Sequence, residues 1–136
     1  MSRYEAEVID TIDRKHPRYS VHWRVAIVYN NRGQNEIFHG KTHDLSVEGA
    51  SVYSDHNIFV EDPVKVLLAI PSHSSNKSDR IIEINSRMVY TVLAANHHQF
   101  RIGLHFLRFK DDGHRFLEMN LSKRSTPLKS SPSTAY

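Results

Sequence analysis

From Ser20 onward the chain alternates between apolar and polar positions. Val21, Trp23, Val25, Ile27 and Tyr29 fall on one face, with His22, Arg24 and Ala26 on the other, which is the period of a half-buried strand. Asn30-Asn31-Arg32-Gly33 is turn chemistry, because Asn and Gly tolerate positive φ. A second strand is predicted from about Glu36 to Leu45, then a tight connection from Ser46 to Gly49 and a third strand from Ala50 to Tyr53. Pro63 opens a fourth, in which Val64, Val66, Leu68 and Ile70 alternate with Lys65, Leu67 and Ala69. The Ser- and Asn-rich run from Pro71 to Arg80 reads as a loop. Ile82, Ile84, Met88, Tyr90 and Val92 mark a long fifth strand, and Phe100, Ile102, Leu104 and Phe106 a sixth.

Six short strands separated by turns suit a closed antiparallel barrel or a small sandwich, and closure is the more economical choice because it removes the edges. After Lys110-Asp111-Asp112-Gly113 the period changes. Phe116 and Met119, with Leu117 or Leu121, can share one face of a short helix, and Asp111 and Asp112 sit favourably near its N-terminus. The expected fold is therefore all-β: a six-stranded antiparallel β-barrel with a short C-terminal α-helix plugging or flanking one end. Residues 1–12 are expected to be a flexible lead-in, 13–122 the barrel domain, and 123–136 a Ser/Pro-rich tail too polar to order itself.

Composition narrows the class. The chain has 136 residues, 39% of them hydrophobic, and no apolar run near the ~18 residues that a membrane span needs. Its first fifteen residues carry Arg3, Glu5, Glu7, Asp10, Asp13 and Arg14 and hold no signal-peptide core. Cysteine is absent, so neither disulfides nor thiolate metal sites enter. A cytoplasmic protein is expected. The net charge of +3 is too small for a dedicated nucleic-acid binder. It is unevenly spread, however: Arg14, Lys15, Arg18 and Arg24 face Asp13 alone within residues 13–24, an electrostatic footprint for a phosphate-bearing ligand.

Two short runs sharpen this picture. Arg14-Lys15-His16-Pro17-Arg18 sets two guanidinium groups four residues apart beside a proline, and Asp44-Leu45-Ser46-Val47-Glu48-Gly49 sets a carboxylate, a hydroxyl and a glycine at i, i+2 and i+5. In this order, within an all-β pattern, they resemble the PilZ domain, the bacterial receptor module for cyclic di-GMP, whose signature is R-x-x-x-R followed by [D/N]-x-S-x-x-G. The resemblance covers roughly residues 13–122 and implies the same barrel and helix. It also implies a cyclic di-GMP site made by Arg14, Arg18, Asp44, Ser46 and Gly49, with Lys15 secondary. No cofactor is implied beyond that ligand.

The chemistry fits the ligand. Arginine's planar fork can donate twice to the O6/N7 edge of guanine, stack on a purine, or clamp a phosphate, whereas lysine is a point charge. Pro17 disfavours helix at His16, so the two arginines lie about 13 Å apart on a fully extended segment and closer on one that wraps a ligand. Asp44 can accept from guanine N1–H and N2–H₂ or hold an arginine, and Ser46 can donate to a phosphate or base. Gly49 permits either a special backbone conformation or a close approach. A bare hairpin turn, in which Asp and Ser bond nearby backbone, is the alternative for the second run taken alone. Asp13, in place of a further basic residue before Arg14, leaves open one ligand or a stacked pair.

Other chemistry finds less footing. His39 and His43 would share a strand face about 13 Å apart, too far for one ion, and His97-His98 lacks a third ligand, so no metal is expected. No nucleophile elbow, phosphate-cradling Gly-rich loop or HExxH occurs, and no enzyme is expected. The expected function is a cyclic di-GMP receptor that passes the signal to a protein partner in motility, polysaccharide or virulence control. Ligand would order its N-terminal arginine segment, mobile until then up to about Tyr19. The alternative is a small-barrel RNA or single-strand binder using Tyr19 and Trp23 for stacking.

Overall fold

The alternation becomes the inside and outside of a closed barrel. The structure is a computed structural model that describes residues 16–72, 74, 76–94 and 99–124. Its elements are β1 (Arg24–Asn31), β2 (Gln34–Leu45), β3 (Gly49–Ser54), β4 (Val64–Ile70), β5 (Arg80–Ala94), β6 (Gln99–Phe109) and α1 (Gly113–Arg124). The strands close in the order β1-β2-β3-β6-β5-β4, every pairing antiparallel. Inward side chains such as Ile27, Val52, Val66, Leu68, Ile84, Ile102 and Leu104 fill the lumen.

Three details depart from the alternation. Regular β1 starts at Arg24, not Ser20, although Val21 and Trp23 are buried. There the chain is held by Thr42, whose hydroxyl donates to the Val21 carbonyl and accepts from the Trp23 N–H. In the β1–β2 hairpin, positive φ falls on Arg32 (55°) and Gly33 (87°), and the Gly33 N–H donates to Asn30 Oδ1. A bulge between Met88 and Tyr90 breaks the fifth strand's parity. Met88 points inward against Leu104, while Tyr90 pairs with Gly103 on the outer face.

Helix α1 begins where the Asp112 carbonyl accepts the Phe116 N–H. The Arg80 guanidinium pairs with Asp112 and sits 4.1 Å over the Phe116 ring, joining the start of β5 to the start of the helix. Leu117 and Leu121 complete the core at this end, whereas Met119 is exposed, because i and i+4 share the inward face and Met119 lies off it. Beside the helix, His16, Pro17, Tyr19 and Val47 face Glu118, Leu121 and Ser122 across a cleft. The helix thus abuts the segment that carries Arg18. No helix among the described residues is long and apolar enough to cross a membrane.

Candidate functional site

A single backbone bridge organises the site. The Tyr19 N–H donates to the Leu45 carbonyl at 2.8 Å, and the Leu45 N–H donates to the Tyr19 carbonyl at 3.0 Å. An antiparallel pair of this kind sets Arg18 opposite Ser46, and residues opposite one another share a face. Asp44, two residues before Ser46, lies on that same face. Thus Arg18, Asp44 and Ser46, which are far apart in sequence, meet on one side of the β2 end.

Their contacts follow from that placement. Arg18 Nη1 lies 3.8 Å from Asp44 Oδ1, with both side chains almost fully buried. The other carboxylate oxygen, Asp44 Oδ2, accepts from the Ser51 hydroxyl at 2.9 Å. Ser51 is the residue opposite Asp44 across the β2–β3 hairpin. Near-neighbour charges of opposite sign offset part of the cost of taking each out of water, so the guanidinium and carboxylate hold one another in place.

The connection from Ser46 to Gly49 is bonded to itself. The Ser46 N–H donates to the Gly49 carbonyl at 2.9 Å, and the Ser46 hydroxyl accepts the Glu48 N–H at 3.0 Å. The Phe106 N–H donates to the Glu48 carbonyl at 2.8 Å, fastening the turn to β6. Gly49 answers the two options its position left open. The positive-φ glycine among the described residues is Gly33, not Gly49. A Cβ at Gly49 would instead run into the Leu104 carbonyl, so the glycine serves close approach of β3 to β6.

Two expectations change here. Asp44 and Ser46, open to reading as part of a bare hairpin turn, are 3% and 1% exposed, because the segment before β1 pairs onto β2 and covers them. Arg18 and Tyr19, expected to stand free of the barrel, are 2% and 8% exposed for the same reason. Arg14, Lys15 and the lead-in of residues 1–12 lie outside the described residues, as do His97, His98 and the tail from residue 125. His16 Nε2 is 3.7 Å from Glu48 Oε1 in a half-exposed pair.

Sequence reasoning passed over one group beside the site. Ser51 was read only as strand, and the one signal for it was its position facing Asp44 across a symmetrical hairpin. His43, beside Asp44 at a bulge in β2, packs its ring 5.0 Å from Tyr53 and 6.3 Å from His22, measured between centroids. These histidines are ring-packed; among the described residues no group of three His, Cys, Asp or Glu could hold a metal ion.

With the geometry in view, comparison with known proteins adds the following. The inhibitor of motility MotI/DgrA of Bacillus subtilis has a similar structure, with a TM-score of 0.67 at 13% identity over 82% of this chain and 50% of that one. At that identity the likeness is one of fold. The PilZ domain of Escherichia coli YcgR with c-di-GMP matches at a TM-score of 0.48 and 12% identity, covering 78% of this chain and 86% of that one. The K. pneumonia MrkH–c-di-GMP complex matches at 0.48 and 14%, covering 78% and 49%. The chain spans about half the length of the MotI and MrkH chains it matches. No curated protein matches the sequence. The family model for the PilZ domain matches residues 12–121, most of the chain, and so the protein belongs to the PilZ domain family.

Proposed function

We propose that this chain is a bacterial, cytoplasmic receptor for cyclic di-GMP that hands the signal to a protein partner and does no catalysis of its own. The observation that carries this reading is the meeting of Arg18, Asp44 and Ser46 on one face through the Tyr19–Leu45 bridge. Membership of the PilZ family supports it. Arg18 and Arg14 take the guanine edges and phosphates, and Lys15 adds charge. Asp44 accepts from a guanine N1–H and N2–H₂ or orients Arg18. Ser46 donates its hydroxyl hydrogen to the ligand while its oxygen keeps the Glu48 N–H. Gly49 lets β3 close against β6 at the end of the motif.

The buried Arg18–Asp44 pair gives a mechanism. Ligand entry requires Arg18 to turn from Asp44 toward the incoming phosphates, and charge-assisted bonds to them replace the pair. Ligand binding acts on the N-terminal arginine segment, whose Tyr19 end is already tied to Leu45. Ordering it costs affinity and creates the surface that a motility, polysaccharide or virulence partner reads. The nucleic-acid reading loses its stacking residues, since Tyr19 and Trp23 are each 8% exposed.

Calorimetric titration with cyclic di-GMP, beside a short RNA of equal charge, tests the proposal. Saturable binding of the dinucleotide alone is expected. Binding of the RNA with none of the dinucleotide would overturn it.

A further inference from the structure

Outside the two motifs, the barrel wall beside Asp44 carries a ring and a guanidinium that neither motif names. The strand register puts Asp44, Ser51, Gly103 and Tyr90 in one row across β2, β3, β6 and β5. At about 4.8 Å per strand the row is about 14 Å long. It faces outward, because the flanking Val52, Ile102, Leu104 and Met88 fill the core.

Two local features lay the tyrosine down along this row. The bulge between Met88 and Tyr90 turns Tyr90 from the inner to the outer face, a common use of an extra residue. Gly103 then leaves the space the ring occupies, since a Cβ there would fall on the Tyr90 Cε2, Cδ2 and Cζ atoms. The half-buried ring therefore lies over β6, one strand from Ser51 and two from Asp44.

Arg101 sits in the neighbouring row, between Tyr53 and Val92. Its guanidinium carbon is 5.9 Å from the Tyr90 ring centroid. Its Nε is buried and meets no hydrogen-bond acceptor among the described residues. A buried N–H without an acceptor is a cost to the fold, and an acceptor on a bound ligand would relieve it.

We propose that Tyr90 and Arg101 form a base-binding ledge continuous with the motif surface: the Tyr90 ring stacks on one purine of the ligand, and Arg101 donates to that purine's O6/N7 edge. Stacking tolerates any base, because every base has a π-face. Edge donation by an arginine fork is what favours guanine. The ledge thus supplies both affinity and discrimination, and it rests on the cyclic dinucleotide reading of the site.

The test is calorimetry on the full chain with cyclic di-GMP and with cyclic di-AMP, alongside thermal melting of each variant. Tyr90→Leu is expected to weaken cyclic di-GMP about tenfold, and Tyr90→Phe, which keeps the ring, to recover most of that loss. Arg101→Lys is expected to narrow the preference for cyclic di-GMP over cyclic di-AMP, a readout that a merely structural role would not move. Gly103→Ala, which touches no ligand atom, should push the ring off the sheet and weaken binding as Tyr90→Leu does. A Tyr90→Trp variant gives an optical check, since its emission should be quenched by a stacked guanine. If the unaltered protein binds no cyclic di-GMP, the receptor reading falls and the ledge with it. If it binds, and Tyr90→Leu and Arg101→Lys match it in affinity and preference, the ledge alone is overturned. Loss in Tyr90→Phe equal to that in Tyr90→Leu would also overturn the stacking role.

Discussion

Replacing Asp44 by alanine should unfold the domain more easily, although Asp44 sits beside a turn. The change takes away the carboxylate that faces the buried Arg18 guanidinium, whose side chain is 2% exposed, and removes the acceptor of the Ser51 hydroxyl. Breaking a buried ion pair from one side costs about 3–5 kcal/mol. The 3.8 Å separation is beyond direct hydrogen bonding, which places this pair at the lower end, about 3 kcal/mol. For a domain of this size that is a melting shift of roughly 12 °C. Urea denaturation followed by circular dichroism gives the number, and an unchanged m-value confirms that only stability has moved. The companion variant Arg18→Met with Asp44→Leu removes both charges and fills the space with apolar groups. It should recover much of the lost stability yet bind no cyclic di-GMP, which separates the fold role from the ligand role. An Asp44→Ala protein within 0.5 kcal/mol of the parent, a threshold at the usual scatter of surface substitutions, would refute the buried-pair reasoning.

Gly49→Ala should cost about 1–3 kcal/mol by overpacking β3 against the Leu104 carbonyl; chemical denaturation checks it, and an unchanged midpoint would mean that β3 shifts freely. Arg14→Ala and Arg18→Ala should each cut cyclic di-GMP affinity severely, with lysine restoring little, and the affinity of the unaltered protein should fall as salt rises; calorimetry at two ionic strengths measures both. Tyr29 should titrate above its ordinary value, because burial, the hydrogen bond to Glu36 and that carboxylate's charge all disfavour the phenolate. A raised folded-state value means stability present below the ordinary tyrosine value of about 10 and lost as pH rises through the folded value, so ultraviolet titration should show a late component that moves part of the way back in Glu36→Gln, where burial still acts.

The barrel was legible because its lumen reads as a period of two: Val25 and Ile27, Val64 to Ile70, and Ile102 to Phe106 follow the alternation into the core. The alternation fails where a residue is inserted. Tyr90 keeps the parity of Met88 in the sequence, but the bulge at Val89 puts it outside, and no residue type announces a bulge. On a helical wheel Met119, three residues on, is the natural partner for Phe116; only the position of the barrel mouth chooses Leu117 and Leu121 instead. The site was legible as residue types at fixed spacings. Its burial was not, since that comes from the Tyr19–Leu45 bridge, a contact between segments 26 positions apart in the chain. Ser51 went unread for a related reason: its role exists only once β3 pairs with β2.

The strand order also divides the barrel into two three-stranded meanders, β1-β2-β3 and β4-β5-β6, sewn together along two seams, β3–β6 and β4–β1. Each meander is made of neighbours in sequence, whereas each seam joins distant stretches and carries the larger loop-closure cost in folding. The β3–β6 seam passes through Gly49–His105 and Ser51–Gly103, directly beneath the proposed ligand. A molecule held by Asp44 and Ser46 on one meander and by Tyr90 and Arg101 on the other would act as a rivet across that seam. Its presence would then be felt as a slower unfolding rate as well as a higher midpoint, with amides of β3 and β6 gaining more protection than those of the β1–β2 hairpin.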